Sequence, residues 1–203
     1  MGDPTPLHES HPWTGAAVQR DGRARVYHPV DVSSFKKGMR QLAAAVTVVT
    51  SGDGQGARIG FTATAVCSVS AEPPQLLVCV NRKGLSCERV AQWGVFCVNV
   101  LSSAQQQIAR SFGAAPVGAT EDRFDVGDWG TLVTGAPMLK GCPVNFDCTV
   151  VQRVEAGTHS IFIGTINAVS VIAGLEPLAF VDGQYLTLNT ARRVPDAELW
   201  DWS

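Results

Sequence analysis

The sequence predicts a mainly β protein, an antiparallel barrel with a few helices packed outside, and three observations carry that prediction. Apolar or β-branched runs recur at short spacing from residue 46 onward, turn residues punctuate them, and the helical stretches fall between strands without alternating with them one for one. A doubly wound parallel sheet would need that alternation.

The elements follow in order. Ser33 or Ser34 can cap a helix in which Phe35, Met39 and Leu42 recur at helical spacing, and the β-branched run VTVVT begins the first strand. SGDGQGAR is a turn by composition. The chain returns through IGFTATAVCSVS, where Phe61, Ala63, Ala65, Cys67 and Val69 alternate with Thr62, Thr64, Ser68 and Ser70, while Val66 breaks the pattern and leaves room for a bulge or a strand buried on both faces. AEPP ends that strand and QLLVCVN is the next. A helix over Leu85–Trp93, a strand VFCVNVL and a helix over Ala104–Phe112 follow. The turn-rich GAAPVGATEDRFDVGDWG reads as a covering segment. Strands resume at TLVTG, VNFDCTVVQRVE and THSIFIGTINAVSVI, the last long enough to bend near Gly164, and LAFVDGQYLTL closes as a hairpin turning at Asp182–Gly183.

Composition narrows the function classes. The chain has 203 residues, 16 Lys+Arg against 18 Asp+Glu and a net charge of −2, so it lacks the clustered basic charge that nucleic acid or anionic membrane requires. Only 17% of residues are charged, below the ~25% usual for an independent monomer, which implies that a partner subunit covers apolar surface. No apolar run is long enough to span a membrane, and the N-terminus lacks a signal-peptide pattern. The six cysteines at 67, 79, 87, 97, 142 and 148 include no CxxC spacing and lie mostly in apolar runs, as buried reduced thiols of a cytoplasmic protein do. Residues 1–30, with four of the eleven prolines and with His8, His11 and His28, read as a loosely ordered arm without metal-ligand spacing. Residues 31–190 form the domain and 191–203 a tail.

Familiar catalytic motifs are missing. There is no HExxH, GxSxG or GxGxxG, and GAAPVGAT has P-loop spacing with Ala119 in the lysine position. What remains is a hydroxyl-rich strand (Thr62, Thr64, Ser68, Ser70), followed one strand later by Asn81, Arg82, Lys83 and Ser86 leading into a helix. Short donors, fixed charge and a helix N-terminus are the groups that hold a phosphate, so a chain without acid–base machinery of its own would borrow reactivity from a cofactor. Threonine on a strand is also ordinary β chemistry, and NRKG is also what a solvated turn looks like.

The segments FKKGMRQLAAAVTVVT, GFTATAVCSVSAEPPQLLVCVNRKGLSCERV, FCVNVLSSAQQQIARSFG, EDRF, GTHSIFIGTI and LAFVDGQYLTL together resemble the flavin reductase-like family, from Phe35 to Leu188. The resemblance implies an antiparallel six-stranded Greek-key split barrel that binds FMN or FAD and takes hydride from NADH or NADPH. It also implies a homodimer, and a separate flavin-dependent monooxygenase that receives the reduced flavin. Carried over by position, Thr62, Ala63, Thr64, Ala65, Ser68, Val69 and Ser70 lie along the flavin ring, Asn81, Lys83 and Ser86 receive its phosphate, and Arg110 and Phe112 lie at its far side. His159 stands near the nicotinamide, with Thr158 where an aspartate is usual. Arg123 and Phe124 are expected as a lid and Tyr185 as a pocket-lining residue. Two other outcomes stay open: a split-barrel protein holding flavin tightly for different redox work, such as a pyridoxamine-phosphate-like oxidase, and a non-catalytic flavin-binding module.

Overall fold

The β-branched run at 46–50 becomes a strand buried on both faces, and the architecture is built around it. The computed structural model describes residues 28–113 and 122–188, so the arm as far as residue 27, the GAAPVGAT turn beyond Gly113 and the tail 191–203 lie outside the described residues. The described chain forms α1 (Val32–Arg40), β1 (Ala44–Ala45), β2 (Thr47–Gly52), β3 (Arg58–Ala63), β4 (Val66–Ala71), β5 (Pro74–Asn81), α2 (Leu85–Trp93) and β6 (Val95–Val100). Next come α3 (Gln106–Gly113), β7 (Trp129–Thr131), β8 (Pro137–Leu139), β9 (Val144–Ala156), β10 (His159–Val171), β11 (Leu178–Val181) and β12 (Gln184–Thr187).

Two units are distinguished, Met1–Met39 and Arg40–Ser203. In the first, Asp31 and not Ser33 or Ser34 caps α1. Its Oδ1 accepts the Ser34 N–H at 3.0 Å and its Oδ2 accepts the Ser34 hydroxyl at 2.6 Å, because an ionised carboxylate is the stronger acceptor for the orphan amides of a first turn. These bonds hold the Asp31 carboxyl below the usual carboxylate range.

In the second unit, seven antiparallel strands form one sheet in the order β3-β2-β6-β9-β10-β5-β4. The strands at its two edges, β3 and β4, are consecutive in sequence and joined only by Thr64 and Ala65. The three Cα–Cα steps from Ala63 to Val66 span at most about 11 Å, so the sheet must curl until its edges come close. It closes by chain continuity without a β3–β4 ladder, which makes it a split barrel with seven strands in the main sheet where six were expected. For the same reason the expected single strand IGFTATAVCSVS is two strands, broken where the chain crosses from one edge to the other. The register shift in β4 falls between Ser68 and Ser70, past Val66, which pairs regularly with Val78.

β2 alternates between two cores, which explains its unbroken burial. Val49 faces the barrel interior with Leu76, Val78, Val80, Phe96, Val98 and Phe162, and α2 adds Cys87 and Val90 to that cluster. Val46 and Val48 face a second cluster with Leu101, Ala109, Phe112, Phe124, Leu139 and Leu178. Buried polar side chains of β6 and β9 stitch β8 and the loop before it to the sheet. The Asn99 Oδ1 accepts both the Leu139 N–H and the Asn145 Nδ2–H at 2.8 Å, and Asp147 accepts the Thr134 N–H at 2.7 Å.

Several boundaries move. The third helix starts as a 3-10 turn at Ser103–Gln105, where Ser102 and Gln105 form a capping box. The strand expected at TLVTG lies earlier, as β7, and pairs with β8. Register shifts in the β9–β10 ladder occur at Ile163/Gly164, where the bend was expected. A Cβ on Gly164 would lie 2.6 Å from Phe96 Cζ, so the glycine is required by packing. The β11–β12 hairpin turns through Asp182 (φ 48°) and Gly183 (φ 80°), the two-residue geometry that suits tightly twisted strands.

Candidate functional site

Segments far apart in sequence meet at one end of the barrel because of strand register. The pair Val66↔Val78 and a hydrogen bond from Cys79 N–H to the Ala65 carbonyl, 3.1 Å, set the Thr64–Ala65 crossover beside the last residues of β5. Asn81 at that end is in register with His159, the first residue of β10. The crossover, the turn after β5 and the histidine therefore share one region, with Thr64, Ala65, Asn81, Lys83 and His159 exposed and Ser86 half-buried.

The turn is pre-shaped. Asn81 Oδ1 accepts the Lys83 N–H at 2.9 Å, fixing an Asx turn that leads into α2, and no side chain caps α2 at Gly84. Its first-turn amides and the Lys83 ammonium beside them supply the donors and positive charge that an anion needs. β4 is an edge strand, so one row of its backbone N–H and C=O groups has no ladder partner along the exposed run through Cys67, Ser68 and Val69. At the start of β10, the Thr158 hydroxyl lies 2.9 Å from His159 Nδ1, which leaves Nε2 as the outward nitrogen. The threonine thus does engage the imidazole where an aspartate is usual.

Other expected residues are occupied elsewhere. The Thr62 hydroxyl donates to the Ala109 carbonyl at 2.7 Å, tying β3 to α3, and the Ala63 carbonyl accepts the Thr47 hydroxyl at 2.7 Å. Ser70 Oγ accepts the Glu72 N–H at 3.2 Å and shapes the β4–β5 turn. Phe112 corrects the sequence expectation. It is 2% exposed, with its ring 5.1 Å from that of Phe124 and 5.5 Å from that of Trp129. Phe124, expected as a lid, is buried in the same cluster and carries the Arg58 guanidinium 4.4 Å above its ring. Both aromatics gain more from the apolar cluster than from an open face. Arg123 Nη1 donates to the Phe112 carbonyl at 3.4 Å. Tyr185 packs edge-on against Phe180, and the Arg110 guanidinium sits 5.9 Å from the tyrosine ring centre. Arg110 is exposed on the same helix turn that Thr62 anchors.

A pocket of about 330 Å³ lies elsewhere, at the β2–β3 turn beside Arg58, Trp129 and Pro137, and none of the expected site residues lines it. The candidate site is an open strip along a sheet edge, not a closed cavity. Arg82 and Glu155 belong to this region as well, although neither stands in a motif that would assign it a role. Their signal is spatial: Arg82 Nη2 lies 3.1 Å from Glu155 Oε2 across two turns.

The donor set fits a flavin mononucleotide. An anion-ready turn sits at one end, an unpaired strand edge offers hydrogen bonds to a flat polar ring, and a histidine stands alongside. Comparison with known proteins agrees. The flavin reductase like domain family matches residues 39–189. The chain is 44% identical over 170 residues to the FMN reductase (NADH) RutF 2 of Methylorubrum extorquens, covering 83% of this chain and 94% of that protein. Among solved structures, the NADH:FAD oxidoreductase SgcE6 of Streptomyces globisporus superposes with a TM-score of 0.73 at 29% identity, over 82% of this chain and 99% of that one. BorF, the flavin reductase component of a bacterial two-component tryptophan halogenase, superposes with a TM-score of 0.70 at 32% identity, over 78% and 98%.

Proposed function

The chain belongs to the flavin reductase like family, and on that premise we propose that it moves hydride from NADH to FMN and passes the reduced flavin to a separate flavin-dependent monooxygenase. It is an NADH:flavin oxidoreductase. The observation that carries the reading is the register that sets Asn81 directly beside His159, with the β3–β4 crossover alongside.

Bound FMN supplies the acceptor for the hydride that NADH gives up. Lys83, the Asn81 turn and the first turn of α2, with Ser86, hold the phosphate. The Ala65 crossover and the open edge of β4 as far as Ser70 would lie along the ring, offering fixed N–H donors that suit negative charge. His159, steadied by Thr158, offers Nε2 to the nicotinamide carboxamide. Arg110, exposed on the α3 turn anchored by Thr62, would meet the far side of the flavin. No side chain acts as nucleophile or strong base, and the protein's contribution is to hold two rings in reacting distance.

The chain acts as a homodimer. Ile161 pairs with Cys79 and Val154, and Ile163 pairs with Leu77 and Gln152, so these side chains share the face of the sheet opposite the barrel core. Val151 beside them is 53% exposed and Val69 44%. A second copy covering this face accounts for the low charge fraction. Residues 31–190 form the catalytic domain, with the arm and tail outside it.

Steady-state NADH oxidation with FMN, FAD and riboflavin in turn, repeated with NADPH, tests the reading. The expected order places FMN with NADH first. Protein that binds FMN but oxidises neither nucleotide refutes it, and a 21.5 kDa monomer in size-exclusion chromatography refutes the dimer.

A further inference from the structure

We infer that Arg82 is a positioning residue for this reaction, holding the β9–β10 hairpin that carries His159 against the turn that carries Asn81 and Lys83. The inference rests on the reading that these two elements serve the nicotinamide and the flavin phosphate.

Arg82 follows the last residue of β5, and its polar contacts among the described residues land on that hairpin. Its backbone N–H donates to the Thr158 carbonyl at 3.0 Å, Nη1 donates to the Gly157 carbonyl at 3.3 Å, and Nη2 pairs with Glu155 Oε2 at 3.1 Å. Thr158 is also the residue whose hydroxyl meets the His159 ring, so the arginine grips the loop that orients the imidazole. The hairpin needs such a grip. Its connection is only Gly157 and Thr158, residues 151–159 are all exposed, and its ladder to β5 ends at His159↔Asn81.

The grip continues into α2. Arg153 Nη2 pairs with Glu155 Oε1 at 3.3 Å and Arg153 Nε donates to Ser160 Oγ at 3.2 Å. Ser160 and Cys87 are both buried, and the Cys87 thiol lies 3.4 Å from Ser160 Oγ and 3.7 Å from Arg153 Nη2. Cys87 lies in the first turn of α2, the turn proposed to face the phosphate. The contacts Arg82–Glu155–Arg153–Ser160–Cys87 therefore run from the phosphate turn through the nicotinamide hairpin and back to the phosphate helix. A guanidinium suits the first place because its planar fork reaches a carbonyl and a carboxylate together, which an ammonium on a flexible stem does not.

Partial exposure makes the position of the hairpin, and not global stability, the quantity at stake. The Arg82 and Glu155 side chains are 43% and 56% exposed, a setting in which ion pairs add little to folding. Misplacing a reacting group by about 1 Å can nevertheless cost up to a hundredfold in rate.

The test compares Arg82→Ala, Arg82→Lys and Glu155→Gln in the full chain. Arg82→Ala is expected to raise the KM for NADH about tenfold, within the range that misplacement allows, and to change KM more than kcat. Arg82→Lys and Glu155→Gln should fall between it and wild type, with melting temperature little changed in all three. In a His159→Ala background, Arg82→Ala should no longer alter the KM for NADH. An unchanged KM, or the same factor with and without His159, overturns the inference. If His159→Ala alone leaves the KM unchanged, the role of His159 fails, and hairpin position is then read without turnover. Amide exchange at Thr158–Ser160 should speed up in Arg82→Ala and in Glu155→Gln, and unchanged exchange in both variants overturns the inference by itself.

Discussion

Replacing Phe112 by alanine should destabilise the protein without weakening flavin binding, which separates the packing seen here from the flavin contact expected at that position. The ring is almost fully buried, contacts Phe124 and Trp129, and presses on β3: a Cβ on Gly60 would lie 2.5 Å from Phe112 Cε1 and 2.8 Å from Cδ1. Truncating a buried phenylalanine costs ~3–5 kcal/mol, from lost transfer energy and the cavity left behind. For a chain of this size each kcal/mol lowers the melting temperature by about 2–4 °C, so Phe112→Ala should melt roughly 6–20 °C early. Gly60→Ala alone overpacks the same contact and should cost about 1–3 kcal/mol. With Phe112 truncated, the nearest remaining neighbour of the new methyl is Thr50 Cγ2 at 3.3 Å. The double variant should therefore be more stable than the two single costs predict, the non-additivity expected of groups in contact. Thermal melts of the four proteins, with FMN titrations well below each transition, provide the assay. A Phe112→Ala protein that melts like wild type yet binds FMN more than tenfold weaker would refute the argument.

Three further predictions use other parts of the site. Asn81→Ala and Lys83→Ala should each weaken FMN about tenfold, the scale of a hydrogen bond to a charged group, while leaving riboflavin unchanged. Equal losses for both flavins would remove the phosphate role, and titration by flavin fluorescence reads the difference. Thr158→Val should raise the KM for NADH while Thr158→Ser stays near wild type, since only serine keeps an oxygen beside His159 Nδ1; identical kinetics for the two would show that this contact does not orient the ring. Burial pushes the Cys142 and Cys148 thiols up to about 12, so their folded values lie above the unfolded one. The stability this reflects is complete at neutral pH and is lost as pH rises from about 9 toward 12. Urea melts across that range should show the decline, and a thiol reagent near pH 8 should modify the exposed Cys67 before Cys97, Cys142 or Cys148.

Much of the site was legible because its chemistry is local. Asn-Arg-Lys-Gly before an apolar helix announces a turn and a helix N-terminus, and the structure has an Asx turn and the start of α2 at residues 81–87. Asp-Gly at 182–183 was equally readable, since backbone conformation alone selects those residues. The packing contacts of Thr62 and Phe112 were not legible, for a common reason: hydroxyl and aromatic side chains serve cores and ligands alike, and neighbouring letters do not say which face is covered. Thr62 lies beside the Ala109 carbonyl only because α3 packs on β3.

The sequence by itself determined most of the strands, the turns, the start of α2 and the light charge, because periodicity, turn residues and composition act over a few neighbouring residues. Only the tertiary structure decided that the strand through Thr64–Ala65 breaks to join two sheet edges, that Asn81 and His159 become neighbours, and that Arg82 grips a hairpin whose nearest contact is some seventy residues away. Those outcomes depend on ladder register and on which faces the two apolar clusters bury. Both are set by the whole sheet closing on itself.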